Sequence, residues 1–433
     1  MKKEIIGRII KNYLDFELPT FVPRGKEFKF LSDVRKIYTI IWPRRAWKTY
    51  FLYQIISNLL KNGVKKSHTL YFYLENDEIF PVSLEDLNLI LETYFEIVGY
   101  NRTEKYYVFF DEIQIVENWQ KFATKIFVEF PNVELILTGS TSKLLSSEIS
   151  TWLRWKALKE EILTLNFQEV LDFKWFKKNK FLNFEEEVKL KKIFKEILLF
   201  WSYPEIVKIE DENWKLRLLD DYFDLIFYKD IVERFNLKSF KKLKIFRKLL
   251  LSYMTNFVNY SKLSKEVWID YNTTLNWLEC FKQAYFIFEL KNFNFSVGKQ
   301  ENSTSKIYIL DNGYYSLNFK DYKQDYWALF ENFVFMELKK LGLEENKNIF
   351  YFKEKNYDID FVIFDKGETK FVQVVYELND KNVDREIKQL KEVSERYWKK
   401  WYVVYYENKL KNEIEGIDFI RFDEINIIQT KYA

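Results

Sequence analysis

Residues 42–49 read Trp42-Pro43-Arg44-Arg45-Ala46-Trp47-Lys48-Thr49, a loop that ends in a lysine and a hydroxyl side chain. The spacing is that of the phosphate-binding loop G-x-x-x-x-G-K-[ST], with tryptophan in place of both glycines. An apolar run, Ile37–Ile41, precedes the loop and another, Phe51–Leu60, follows it, as a strand and a helix would. Glycine serves such a loop because it lets the backbone curl until its amides point at phosphate oxygens. An indole at Trp47 puts a large ring where phosphate belongs.

Two acids supply the complementary chemistry. The apolar run Tyr106–Phe110 leads into Asp111-Glu112. Asp111, at the carboxyl end of a buried strand, can hold the water shell of Mg²⁺, and Glu112 can polarise an attacking water. Many buried strands end in two acids; downstream of a phosphate loop the pair gains weight. The next run, Val133–Leu137, passes into Thr138-Gly139-Ser140-Thr141. Thr138 or Ser140 stands where a polar group would sense a γ-phosphate, and both residue types also serve as plain caps of a strand-to-helix turn. In Leu153-Arg154-Trp155-Lys156, either Arg154 or Lys156 can reach a neighbouring subunit's γ-phosphate as an arginine finger, or form a solvated basic turn.

These residues need a rigid frame. Strand-like runs at Ile37–Ile41, Leu70–Leu74, Tyr106–Phe110, Val133–Leu137 and Ile162–Leu165 alternate with helical stretches, which predicts a parallel sheet covered by helices. Residues 185–258 turn helical and charged, with helices over Glu185–Leu199 and Trp214–Arg234. A bihelical segment, Lys262–Leu290, follows, its second helix starting near Asn272-Thr273-Thr274, and residues 292–306 read as loop. The last hundred residues return to α/β, with strands at Ile349–Lys353, Asp360–Phe364, Phe371–Val375 and Trp401–Tyr406 and helices at Leu329–Leu341 and Asp384–Tyr397.

Composition bounds the rest. A chain of 433 residues, 48% hydrophobic and 31% charged, holds two or three soluble domains. A net charge of +3 does not announce nucleic acid. With Cys280 the only cysteine and His68 the only histidine, internal disulfides, Cys/His zinc sites and histidine triads are excluded. No apolar run is long enough to span a membrane, and Met1–Leu14 reads as an amphipathic helix rather than a signal peptide, so the cytoplasm is the expected compartment. Ten glycines are few for this length, where ordinary usage of about 7% gives roughly thirty, and thirteen tryptophans are many. Two readings stand: the gene uses UGA for glycine, as some bacterial lineages do, or the chain is a tryptophan-rich, degenerate enzyme. Trp119, Trp277 and Trp401 suit a true aromatic on either reading.

In order, the chain carries the 41–49 loop; Phe110-Asp111-Glu112-Ile113-Gln114 with Asn118-Trp119; Leu137-Thr138-Gly139-Ser140 with Ser142-Lys143-Leu144-Leu145; and Leu153-Arg154-Trp155-Lys156. Farther on come Tyr203-Pro204-Glu205, Tyr228–Arg234, Glu331-Asn332, Asp358-Ile359-Asp360-Phe361 and Gln373-Val374. This series resembles a prokaryotic family of AAA+ P-loop ATPases in which the ATPase precedes a conserved domain of unknown function. The resemblance covers nearly the whole chain and implies glycine at 42, 47, 155, 201, 268 and 327. It further implies that Lys48 contacts the β- and γ-phosphates of ATP, that Thr49 ligates Mg²⁺ with Asp111, and that the backbone from Arg44 to Thr49 cradles phosphate at a helix N-terminus.

The expected architecture is therefore an N-terminal helical segment (1–30), an AAA+ ATPase domain (31–184), a helical and winged-helix region (185–300) and an α/β C-terminal domain (301–433) similar to restriction endonucleases. There Glu331 or Glu337 with Asp360 follows a nuclease order, although Gln373 stands where an acid or lysine belongs. The basic run Lys238–Lys248 reads either as a phosphate contact or as a solvated helix face. The expected function is ATP hydrolysis driving conformational change in a homo-oligomer, on a DNA or protein partner. The alternatives are a binding module with a dead ATP site and a nuclease using Asp360.

Overall fold

The computed structural model describes the chain except residues 1, 141–152, 201, 320–324, 355–356, 384, 388–389, 391–399, 411–413, 415 and 430–433; the side chains of Ser140 and Arg154 also lie outside the description. Contacts divide the chain into two compact units, Met1–Leu165 and Asn166–Ala433.

The first unit is a five-stranded, wholly parallel sheet with the order β2-β3-β4-β1-β5. Its strands are β1 (Ile37–Trp42), β2 (Thr69–Tyr73), β3 (Tyr106–Asp111), β4 (Val133–Ser140) and β5 (Ala157–Glu161). Every residue of β1 is buried, as a central parallel strand covered on both faces requires. The helices are α1 (Lys2–Asp15), α2 (Lys48–Lys61), α3 (Leu84–Val98) and α4 (Trp119–Glu129). Helix α1 is amphipathic as expected, burying Ile6, Ile10 and Tyr13. Ser83 and Asp86 form a reciprocal capping box on α3, and Gly99 ends that helix in the left-handed conformation, φ 69°.

The last strand of this sheet differs from expectation. Ile162–Leu165 lies beyond it, and the paired residues are Ala157–Glu161, aligned with Ile37–Ile41. An edge strand is half solvated, so the sequence Ala-Leu-Lys-Glu-Glu lacks the apolar run that marks the interior strands.

The second unit begins with α5 (Phe167–Phe173), α6 (Phe184–Phe200), α7 (Pro204–Lys208) and α8 (Glu212–Leu225), the last running into a π-helical stretch, Ile226–Glu233. Next come α9 (Phe240–Ser252), β6 (Phe257–Val258), α10 (Tyr260–Val267), α11 (Tyr271–Gln283), β7 (Ile287–Lys291), α12 (Val297–Glu301) and β8 (Ser305–Ile309). Strands β6, β8 and β7 form an antiparallel sheet in that order. Helix α11 starts earlier than expected, capped by the Asp270 side chain on the Thr273 amide, and the stretch 292–306, expected as loop, contains α12 and the start of β8. After α13 (Gly313–Asn318) and α14 (Tyr326–Lys340), a mixed sheet of β9 (Ile349–Glu354), β10 (Tyr357–Asp365), β11 (Glu368–Leu378), β12 (Lys400–Asn408) and β13 (Asp418–Arg421) closes the chain. Strands β9 to β11 are antiparallel; β11, β12 and β13 run parallel. The fold is thus α/β in both the first and the last part of the chain. Most of the helix expected at Asp384–Tyr397 lies outside the described residues.

Candidate functional site

The carboxyl ends of β1, β3 and β4 lie at one edge of the parallel sheet, with β4 standing between the loop strand and the acid strand. Ligands of open α/β sheets bind at such an edge. The 43–47 loop leaves β1 there and turns tightly, the Ala46 amide donating to the Pro43 carbonyl at 3.3 Å. Arg45 (φ 71°) and Trp47 (φ 58°) both take the left-handed conformation, which costs a non-glycine residue roughly 1–2 kcal/mol. Trp47 precedes the first turn of α2 without any side-chain cap, and its ring stacks on Tyr50 at 4.5 Å.

Lys48 opens α2 and meets both acids: its ammonium lies 3.0 Å from Asp111 Oδ1 and against Glu112 Oε1. Burial pulls this ammonium below the usual lysine range, and the attraction of Asp111 does not fully offset it. Asp111 is fully buried. Its Oδ2 accepts from Thr49 Oγ1 at 3.3 Å and from the Tyr71 hydroxyl at 3.0 Å, and its Oδ1 accepts from Thr138. Thr138 also accepts from the Glu112 amide at 3.2 Å. Glu112 itself has φ 63°, a strained setting that turns the chain immediately after Asp111, and Gln114 donates to its carboxylate.

Lys48, Thr49, Asp111, Glu112 and Thr138 are therefore gathered within one hydrogen-bonded set. Trp42 is buried at the end of β1, with its ring 5.6 Å from the Lys48 ammonium; Pro43 and Ala46 are buried, and Arg44 and Arg45 are exposed. Ser140 pairs with Trp42 through the backbone, its side chain outside the described residues. Arg154 and Lys156 are not part of this set. They form a short 3₁₀ turn before β5, whose start aligns with the start of β1, so they lie at the opposite end of the sheet. Lys156 packs over Phe127 at 5.7 Å.

Two contributors have no signature in the sequence. Tyr71 reaches Asp111 from the neighbouring strand β2. Arg24 ties the extended segment before β1 to the site: its guanidinium donates to the carbonyls of Ala46, Leu163 and Thr164, while its backbone exchanges two hydrogen bonds with the Gln54 side chain of α2. Arg24 stands in no periodic pattern or motif; Tyr71 lies in the strand-like run Leu70–Leu74, which marks the strand but not the partner of its hydroxyl.

The donor set fits a magnesium nucleotide. Mg²⁺ takes one or two carboxylates and keeps water and phosphate as its other ligands, which suits Thr49 with Asp111. That no cluster of three or more His, Cys, Asp or Glu able to hold a metal occurs among the described residues is compatible with such a site. The loop fits less well. Trp47 holds a backbone conformation that glycine takes freely, whereas Trp42 does not. Trp268 (φ 59°) and Trp175 (φ 54°) are also left-handed and largely exposed. Trp175 was not expected in this set, Trp155 and Trp327 are not left-handed, and Trp201 lies outside the described residues. Trp119, Trp277 and Trp401 are buried aromatics, as expected.

A second group of buried charges sits in the other unit. Lys306 of β8 lies 3.2 Å from Glu331 of α14 and 3.3 Å from Asp360 of β10. Tyr308 donates to Glu331 at 2.7 Å, and the Val374 amide donates to Asp360 at 2.9 Å. Burial opposes the Lys306 charge, yet Glu331, Asp360 and Asp358 together hold its ammonium above the usual range. Burial pushes Glu331 up to about 7 and raises Asp360. Glu337 is elsewhere, accepting from the Phe167 amide and pairing with Lys340. Gln373 faces Glu386 at 3.4 Å.

Residues 34–171 match the AAA domain family, and residues 191–321 match a domain of unknown function, DUF8612. Solved structures with similarity include a DNA polymerase III gamma subunit-related protein from Thermotoga maritima, TM-score 0.26 and 10% identical, covering 66% of this chain and 98% of that one. AMPPCP-bound DnaA from Aquifex aeolicus scores 0.25 at 13% identity, over 65% and 86% of the two chains. Similarity at this level adds nothing to what the sheet order gives. An uncharacterised protein of Haemophilus influenzae is 28% identical over 97% of this chain and 98% of its own. An uncharacterised protein of Methanocaldococcus jannaschii is 38% identical over 89% of this chain and 85% of its own length. The chain belongs to one family with this Methanocaldococcus protein, and in it an AAA domain leads into a domain of unknown function.

Proposed function

We propose that the first unit binds ATP with Mg²⁺ and hydrolyses it, and that the chain works as an AAA+ ATPase. The observation that carries this reading is the meeting of Lys48, Thr49, Asp111, Glu112 and Thr138 at one sheet edge. Lys48, the first residue of α2, would bind the outer phosphates at a helix N-terminus. Thr49 and Asp111 would hold Mg²⁺, which neutralises charge developing on the transferred phosphoryl group. Glu112 would orient water, and Thr138 keeps Asp111 and the Glu112 amide in register. Arg154 or Lys156 would serve a neighbouring copy, since both stand away from this chain's own loop. The left-handed Trp47 supports glycine at 47 in the native chain; the resemblance alone supports it at 42.

Nucleotide titration and phosphate release on the chain as written and on the W42G/W47G chain test this. Binding and turnover by the glycine chain are expected, and their absence from both chains would overturn the reading.

For the last part of the chain we propose a nuclease-like domain that does not cut. Lys306 lies between Glu331 and Asp360, where a catalytic cation would be needed. Metal-dependent DNA cleavage lost on Asp360→Ala would refute this.

A further inference from the structure

Residues 238–309 combine three features that the ATPase reading does not use. The first is topology. Helix α9, strand β6, helices α10 and α11 and the β7–β8 hairpin follow one another, with β8 between β6 and β7. The two helices are joined by the short turn Trp268-Ile269-Asp270. Helix α10 docks through Leu263 and Val267, and α11 through Thr274, Trp277, Leu278 and Phe281. This leaves Asn272, Leu275, Asn276 and Glu279, spaced i, i+3, i+4 and i+7, as an exposed stripe along α11.

The second is charge. The segment holds twelve Lys and Arg against five Asp and Glu, a net +7, while the whole chain carries only +3. The remainder is thus net negative, and the near-neutral total hides a basic module. The third is placement. Lys241, Lys242, Lys244 and Lys248 are exposed on α9, Lys262 and Lys265 on α10, and Lys299 in the hairpin. Lys242 donates to the Trp268 carbonyl, which brings α9 to the turn that launches α11. The cations nearer the core are already engaged: Arg247 with Asp224, Lys282 with Glu279 and Glu289, and Lys291 with Glu301.

A stripe with two asparagines, one leucine and no cation, flanked by exposed lysines, has groups that can read a duplex. Lysines position phosphates without reading sequence, and asparagine amides match the adenine edge in the major groove. A helix fits the major groove of B-form DNA, but not the deep, narrow one of A-form RNA. We propose that residues 238–309 form a winged-helix module that binds duplex DNA, with α11 in the major groove and the lysines of α9 and α10 on the flanking phosphates.

The test is fluorescence anisotropy of the full-length chain with a labelled duplex of about 20 base pairs, without nucleotide, between 50 and 200 mM salt, so that it does not depend on the ATPase reading. Binding that weakens steeply with salt is expected. Replacing Lys241, Lys242, Lys262 and Lys265 by Gln should weaken it at least tenfold and lower the salt slope by about one for each phosphate left without its lysine. The same positions changed to Arg should retain binding, with far-UV circular dichroism confirming that both variants fold. A control set, Lys177, Lys180, Lys189 and Lys192 to Gln, removes the same charge from exposed positions elsewhere and should change little. Asn272→Ala with Asn276→Ala should abolish sequence preference in a randomised-duplex selection while sparing non-specific affinity. Absence of duplex binding at 50 mM salt, equal losses in the two Gln sets, or tighter binding to double-stranded RNA or to polyglutamate would each overturn the proposal.

Discussion

Lys48 in the first unit and Lys306 in the second each sit between two carboxylates, and the two clusters behave in opposite ways. Lys306 is overcompensated: Glu331, Asp360 and Asp358 lift its ammonium above the ordinary range despite burial. Lys48 is undercompensated: Asp111 already accepts hydrogen bonds from Thr49, Tyr71 and Thr138, and burial wins over the attraction. Their side chains are comparably sequestered, 12% exposed for Lys48 and 6% for Lys306. Burial alone therefore does not set the direction in which a lysine's affinity for its proton moves. The balance between desolvation and partner charge differs between the two clusters, and it lowers one ammonium while raising the other.

The strongest way to break this contrast is to remove each lysine in the glycine-bearing chain. Lys48→Ala should abolish nucleotide turnover, and Glu112→Gln should lower it by about 10²–10⁴-fold while equilibrium binding persists, the scale of a lost general base. Retained turnover in both variants, read by phosphate release, would mean that the chemistry is elsewhere. Lys306→Met should instead leave turnover within about twofold but destabilise the chain by roughly 3–5 kcal/mol in denaturant unfolding, because two buried carboxylates lose their counter-charge. If Lys306→Met stopped turnover at unchanged stability, the two clusters would not differ in kind.

Smaller changes sharpen the comparison. Thr138→Ala takes a donor from Asp111 and an acceptor from the Glu112 amide, which should cost about 1–3 kcal/mol and lower turnover more than binding. Arg24→Ala frees the segment tied to Ala46, Leu163 and Thr164 and should weaken nucleotide affinity several-fold, with turnover at saturation little changed; titration calorimetry separates the two. A further effect is one of pH. Glu331 titrates near 4.5 when unfolded and near 7 when folded, so the folded chain binds more protons between these values. Stability from this group is full below about 4.5 and is lost as pH rises through about 7. Glu331→Gln should flatten that slope, and an unchanged slope in urea midpoints would remove Glu331 as its source.

The sequence made the first cluster legible and left the second only half seen. The loop, the acid pair and Thr138 belong to one spaced motif series on interior strands, where apolar runs mark the elements without ambiguity. Strand β5 escaped because an edge strand tolerates charge, and Arg24 and Tyr71 escaped because they reach the site through space from a non-periodic segment and a neighbouring strand. Glu331 and Asp360 were picked out, but Lys306 fell at the end of a stretch read as loop, so a metal-like pair of acids looked unpartnered.

What the sequence determined by itself was local and periodic: alternating strands and helices, the spacing of Lys48-Thr49 from Trp42, the acids at a strand end, and a shortage of glycine. What only the tertiary structure decided was which charges meet and in what proportion. The order β2-β3-β4-β1-β5 brings Asp111 beside Lys48 across an intervening strand, and β8 carries Lys306 to acids on α14 and β10. Net charge at a point depends on distance and dielectric, neither of which a linear order of residues specifies.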